Sequence, residues 1–278
     1  MRGSGDRKKQ LWIKDLCTSK KVLFLGIQET KMTRLELFRI KTMWGNYKFD
    51  YASCLSRGMS GGLLSIWDPI YFKKDRLWCD SNFLVIRGKW YNSANQVYML
   101  NVYAPQDSQA KVVLWHKILN FMDSHMGDYV VFGDFNEVRM ESDRFGTVFN
   151  RQDANRFNAF IFNSGLTDLP LGGKRYSWMN KFGTKMSLID RFLVSQTIID
   201  SFPNVQVTAM DRGYSDHCPL LLHNLEQDFG PTPFKFFHSW MNYPDLEVIV
   251  KQVFENDGNI GLQENFQQKL KRLKLDIK

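Results

Sequence analysis

Tyr129-Val130-Val131-Phe132-Gly133-Asp134-Phe135-Asn136 decides how this chain is read. Four apolar residues, β-branched or aromatic, mark a short central strand. The strand stops at a glycine, a carboxylate follows, and a carboxamide stands two residues on. Functional groups gather where strands give way to loops, so Asp134 and Asn136 become candidates for chemistry.

Working outward, the same pattern recurs. Val22-Leu23-Phe24-Leu25-Gly26-Ile27 reads as a buried strand running into Gln28-Glu29. Gly61-Gly62 precedes the strand Leu63–Trp67, which Asp68-Pro69 ends. Phe83–Trp90 and Gln96–Tyr103 read as paired strands with Asn92-Ser93 at the turn. Residues 7–19 predict an amphipathic helix with Leu11, Trp12 and Leu16 on one side. Ser108 is expected to cap a second helix with the apolar face Val112, Trp115, Leu119 and Met122. Asp153 is expected to open a third, carrying Phe157, Phe160 and Ile161 and stopped near Gly165. Further strands are expected near 175–179, 187–194, 204–209 and 218–222. Strands with a few packed helices imply an α/β or α+β fold with two layers of sheet. At Phe229-Gly230-Pro231-Thr232-Pro233 the composition turns to that of a linker. Two helical segments follow, one after Pro244-Asp245 and one from Leu262 onward. This predicts a domain over 1–225 and a helical linker over 226–278.

Composition narrows the function. The 278 residues include 37 Lys plus Arg against 29 Asp plus Glu, a net charge of +8. That excess suits a polyanionic partner, nucleic acid first, although a modestly basic surface also serves solubility alone. The cysteines Cys17, Cys54, Cys79 and Cys218 are scattered, which predicts four free thiols in a reducing compartment. No stretch approaches the ~20 apolar residues of a membrane span, and the first residues lack a signal-peptide core. A soluble nuclear or cytoplasmic protein that is not secreted is expected.

Several residues could carry chemistry. Glu29 and Asp134 follow apolar strands. Asp190 sits inside Leu188-Ile189-Asp190-Arg191-Phe192-Leu193-Val194, where a charge must be paired, hydrogen-bonded or metal-bound. Ser215-Asp216-His217 lies just before another strand, and a histidine beside a carboxylate can titrate near neutrality. Phosphodiester hydrolysis needs an activated water and neutralised phosphoryl charge. Carboxylate and amide oxygens suit Mg²⁺, whereas the few scattered His and Cys disfavour zinc. No Walker A or GxGxxG motif is present. Each residue also has a plainer reading: Glu29 as a helix-start carboxylate, Asp190-Arg191 as a structural ion pair, His217 as a hydrogen-bonded structural histidine, Tyr103 as a strand-end aromatic.

The ordered set resembles the endonuclease/exonuclease/phosphatase family, and more narrowly the endonuclease domain of plant LINE-type retrotransposons. It comprises Leu25-Gly26-Ile27-Gln28-Glu29-Thr30-Lys31, Val102-Tyr103-Ala104-Pro105, Gly133-Asp134-Phe135-Asn136, Tyr176-Ser177-Trp178, Leu188-Ile189-Asp190-Arg191 and Ser215-Asp216-His217. The resemblance implies a four-layered α/β/β/α sandwich of two packed mixed sheets with a site at one end. It implies that Glu29 is the principal metal ligand, with Asp216 near the metal, and that Mg²⁺ or Mn²⁺ is the cofactor. Asp134 would orient or deprotonate the attacking water, and Asn136 would contact the phosphate. His217, held by Asp190, would polarise the phosphate, and Tyr103 would assist there. Ser177, Lys31 and Arg191 would contact DNA. Such domains begin with an Asn-bearing strand, which is absent here: Arg2-Gly3-Ser4-Gly5 aligns with its end. A tag remnant, a truncated gene and a decayed element all remain open as origins of that start. The basic tail resembles the connector to a reverse transcriptase, expected in cis in a complete element. Target-DNA nicking is thus the leading expectation. An inactive remnant that at most binds DNA is the alternative, and a family member acting on a phosphoinositide is a third reading.

Overall fold

The computed structural model describes residues 6–31, 34, 36–55, 61–91, 93, 95–225, 246–255 and 266–276. They divide into two units, at Met1–Glu226 and Gln227–Lys278. The first runs α1 (Arg7–Ser19), β1 (Phe24–Ile27), α2 (Leu37–Trp44), β2 (Asp50–Cys54), β3 (Leu63–Trp67), β4 (Phe72–Cys79), β5 (Phe83–Trp90) and β6 (Val97–Tyr103). Then come α3 (Ser108–Ser124), β7 (Asp128–Asp134), a 3-10 turn (Glu141–Asp143), β8 (Arg144–Phe145), α4 (Arg151–Ser164), β9 (Thr167–Asp168) and β10 (Leu171–Gly172). It closes with β11 (Trp178–Met179), β12 (Met186–Ser187), β13 (Asp190–Val194), α5 (Gln196–Ser201), β14 (Val205–Ala209) and β15 (Leu220–Asn224). The second unit holds α6 (Leu246–Glu255) and α7 (Phe266–Asp276), which bury Leu246, Val253 and Leu273.

A six-stranded mixed sheet, ordered β4-β5-β6-β7-β13-β9, forms the centre. Strand alternation sends successive side chains to opposite faces. On one face Val85, Leu100, Val131 and Leu193 meet Leu114, Trp115 and Ile118 of α3 and Phe157, Phe160 and Ile161 of α4. On the other, Leu84, Ile86, Met99, Val130 and Phe132 meet Ala52, Leu63, Trp67 and Val207 from the three-stranded sheets β1-β3-β2 and β10-β14-β15. The outer face of the β1-β3-β2 sheet packs Ile27, Leu64 and Ile66 against Ile13 of α1 and Ile40, Met43 and Trp44 of α2. The result is the expected four-layered α/β/β/α sandwich. At Gly26 the sheets approach so closely that a Cβ would lie 2.2 Å from the Phe132 ring.

Some local expectations are corrected. The α1 stripe is Gln10, Ile13 and Cys17, and Leu11 is exposed. The N-cap of α3 is Asp107, whose side chain accepts from the Ala110 N–H, and its buried stripe is Lys111, Leu114, Trp115 and Ile118. Asn150 caps α4, placing Asp153 in the first turn. The expected strand over 187–194 is two, because Leu188 turns away to donate to Asp143 O. Cys54 and Cys79, at the ends of β2 and β4, are joined as a disulfide (Cα–Cα 6.0 Å). Only Cys17 and Cys218 are free, so the expectation of four thiols fails, and with it the compartment argument built on it. The linker at 229–233, Asn92, Leu262 and residues 2–5 lie outside the described residues. Among the described residues no helix is long and apolar enough to cross a membrane.

Candidate active site

Alternation and register together build the site. On β6 and β7, Tyr103 lies beside Asp134; on β7 and β13, Asp134 lies beside Asp190. The three residues thus form a row across the end of the central sheet. They share the inter-sheet face with Phe132 and Phe192, two residues back along β7 and on along β13. The facing sheets supply the rest. The Tyr103 hydroxyl donates to Glu29 Oε1, just beyond β1. His217, just before β15, directs Nδ1 at Asp190 Oδ2 (2.9 Å) and Oδ1 (3.1 Å) and Nε2 toward Asp134 Oδ2 (4.0 Å).

Backbone conformation holds the groups in place. Gly133 has φ +136, and a Cβ there would lie 2.0 Å from Val102 O. Only glycine lets β7 run this close to β6 immediately before the carboxylate. Glu29, Lys31 and Asn136 have φ of +50, +52 and +49. Side chains rarely adopt that region, and such strain gathers at functional positions. Asn136 donates its N–H to Asp134 Oδ1 (2.9 Å) and its Nδ2 to Ala104 O (2.6 Å), tying the turn to the end of β6. Gln28 is braced by its Nε2 donating to Asn101 Oδ1 (2.6 Å), and Asn101 donates onward to Leu64 O (3.1 Å).

Electrostatics separates the acids. Burial and then the Asp190 charge push Asp134 up to about 7. Burial also acts to raise Asp190, but the His217 charge and hydrogen bond outweigh it and hold Asp190 below the usual carboxylate range. Burial acts to lower His217, yet Asp190, through its charge and hydrogen bond, and Asp134 raise it to about 9. At neutral pH this places an imidazolium on an ionised Asp190, beside an Asp134 poised to take or release a proton.

Two residues expected to contact DNA are committed elsewhere. Ser177 is fully buried; its Oγ accepts from the N–H groups of Ile189 (3.1 Å) and Asp190 (2.9 Å), while its carbonyl accepts from Cys218 (2.6 Å). It braces the Asp190 and His217 segments against each other. Arg191 is 6% exposed, and alternation turns it away from Asp190. Its guanidinium donates to Asp168 Oδ2 (2.8 Å) and Asp143 Oδ2 (2.8 Å), which leaves it no reach to a substrate. Lys31 is exposed on the turn after Glu29, its N–H donating to Gly61 O (3.1 Å). Asp216 is half-buried, with its carbonyl accepting from Met179. Sequence reasoning passed over Gln28 and Asn101. An isolated polar residue within an apolar strand, as Asn101 is in Val97–Tyr103, was the available signal.

Asp134, Asp190 and His217 can bring one ligand atom each within 4.8 Å of one another. A protonated imidazole is no metal ligand, and Asp190 is engaged by it, so this trio suits proton and phosphate chemistry better. The carboxylate of Glu29, across Tyr103, is the oxygen donor that suits a hard divalent cation.

A sequence profile of the endonuclease/exonuclease/phosphatase family matches residues 4–217. Comparison with curated proteins finds no match. Among solved structures, the AP endonuclease of Leishmania major is 15% identical, with a TM-score of 0.61 over 79% of this chain and 84% of that one. The APE2 catalytic domain of Xenopus laevis is 14% identical, with a TM-score of 0.60 over 80% and 89%. The endonuclease domain of TRAS1, a telomere-specific non-LTR retrotransposon, is 13% identical, with a TM-score of 0.56 over 80% and 95%. These likenesses bear on the fold, while the profile spans the row of groups from Glu29 to His217. On that match this chain belongs to the endonuclease/exonuclease/phosphatase family.

Proposed function

We propose that this protein is a Mg²⁺- or Mn²⁺-dependent endonuclease that hydrolyses DNA phosphodiesters, acting as the target-nicking domain of a LINE-type retrotransposon. The observation that carries the reading is one short row: His217 sets Nδ1 on Asp190 Oδ2 (2.9 Å) and Nε2 toward the buried Asp134 carboxylate (4.0 Å), an arrangement that raises both His217 and Asp134. That pairing supplies both a proton acceptor for an attacking water and a cation for a phosphoryl oxygen. In this role Asp134 takes the proton from water. His217 neutralises developing charge, and Asp190 keeps it charged and oriented. Asn136 offers its carboxamide to the phosphate, and Tyr103 orients Glu29. Glu29, with Asp216, would hold the metal, which when bound offsets charge on the phosphoryl group. Lys31 contacts the DNA backbone. The net charge of +8 suits such a polyanion. The likeness to the endonuclease domain of TRAS1 is in keeping with the retrotransposon assignment, and on that reading a reverse transcriptase domain is the expected partner in cis in a complete element.

The test is nicking of supercoiled plasmid with Mg²⁺, Mn²⁺ or EDTA, beside turnover of a soluble inositol phosphate. Metal-dependent nicking without inositol phosphate turnover is expected. The reverse preference would move the substrate to the phosphoinositide class, and binding of DNA without cleavage would favour the inactive remnant.

A further inference from the structure

Beneath the Asp134–Asn136 turn lies a charge that the proposed chemistry does not use. Lys111, on the first turn of α3, is 6% exposed, and Glu137 is 4% exposed. The two form an ion pair, and Lys111 Nζ also donates to the carbonyl of Asn136 (3.2 Å). Glu137 Oε1 accepts from the Val138 N–H (3.0 Å). The start of α3 is anchored as well: Asp107 caps it, and Ser108 Oγ donates to Asp153 Oδ2 of α4 (2.6 Å). Lys111, Glu137 and Asn136 line one cavity of ≈ 370 Å³ together with Gln106 and Arg144.

Stability alone does not explain this pair. Two buried charges carry a desolvation penalty, and well-packed apolar residues of similar size commonly serve as well or better. What an apolar residue cannot supply is a donor fixed on the Asn136 carbonyl. Asn136 holds φ +49, a conformation that persists only where its surroundings impose it. Its N–H bond to Asp134 and its side-chain bond to Ala104 depend on that conformation.

We propose that Lys111 is a positioning residue, which acts through its bond to the Asn136 carbonyl to hold the Asp134–Asn136 turn in its working geometry, with Glu137 holding the lysine side chain in place. The proposal rests on the proposed nuclease reading for its kinetic consequence, but not for its structural one.

The experiment compares the full chain with Lys111→Met and with Lys111→Met/Glu137→Met. It measures Tm, kcat and KM for nicking a duplex, and hydrogen exchange of the Asn136 amide. The single variant strands the Glu137 charge and should lose both Tm and kcat. The double variant removes both charges and should recover Tm. Its kcat should stay about tenfold below the parent with KM within about twofold, since small misplacement of reacting groups lowers turnover steeply. Asn136 exchange should remain about tenfold faster in it, reflecting a locally opened turn. Recovery of kcat and exchange protection along with Tm would overturn the proposal, leaving Lys111 a packing residue. Should the double variant not fold, Lys111→Gln/Glu137→Gln is read in the same way, its shorter side chain at 111 falling short of Asn136. If the parent itself does not nick, the nuclease reading fails, and the exchange result alone decides the positioning role.

Discussion

At the residue scale, the site turns on one proton. His217 keeps it to about 9 because Asp190 faces it. NMR titration of the imidazole should therefore show a midpoint near 9, well above the ordinary histidine value of about 6.5. Asp190→Asn should lower the midpoint clearly, because burial is then opposed only by the Asp134 charge; an unchanged midpoint would remove Asp190 from its role. The sign for stability follows by linkage. A folded-state pKa above the unfolded one stabilises fully below about 6.5, and the benefit fades as pH rises through about 9. Tm of the parent should accordingly fall between pH 7 and pH 10 more than that of Asp190→Asn. Asp134, Asp190 and His217 were candidates in the sequence, the carboxylates because one after or within an apolar run demands a partner, but the family resemblance rather than the pattern gave the three their roles. Arg191 and Ser177 were misjudged for a shared reason: motif membership does not say which way a side chain points. Strand alternation puts Arg191 behind the row, where Asp143 and Asp168 engage it.

At the element scale, short segments hold the site together through backbone bonds. Ser177 Oγ accepts two N–H groups at the start of β13. Ser177→Ala should leave them unpaired and cost about 2 kcal/mol, measured by denaturant unfolding, with His217 titrating lower as Asp190 loosens. A loss under about 0.5 kcal/mol would mean that water replaces the hydroxyl. The strands β1, β3, β5, β6 and β7 were legible because apolar runs ended in turn residues. The strands β2 and β4 were not. The β4 segment Phe72-Lys73-Lys74-Asp75-Arg76-Leu77-Trp78-Cys79 is an edge strand exposed over most of its length, so charge replaces the apolar signal. The face of α3 was misassigned because Lys111, which reads as a solvent residue, is one of its buried positions.

At the scale of the whole molecule, the sandwich brings together groups far apart in sequence. Glu29 and His217 come from the sheets that face Tyr103, Asp134 and Asp190, so the site exists only while the layers stay packed. Phe157, fully buried between α4 and the central sheet, tests that dependence. Phe157→Ala should cost about 3–5 kcal/mol by denaturant unfolding. Lys31, exposed beside Glu29, should act differently: Lys31→Ala should weaken DNA binding without loss of Tm and flatten the salt dependence by about one unit of slope. Two layers of sheet with packed helices were legible from the apolar runs, whereas the four-layered order came from the family resemblance. The Cys54–Cys79 link was not, since only the folded sheets bring the ends of β2 and β4 together. The central claim is that the row from Glu29 to His217 hydrolyses DNA phosphodiesters, and plasmid nicking with Mg²⁺ tests it most directly. The account predicts that the parent nicks, and that Asp134→Asn and His217→Ala, shown to be folded, each nick at least about 100-fold more slowly. A folded parent that does not nick, or variants that nick as well as the parent, would contradict it.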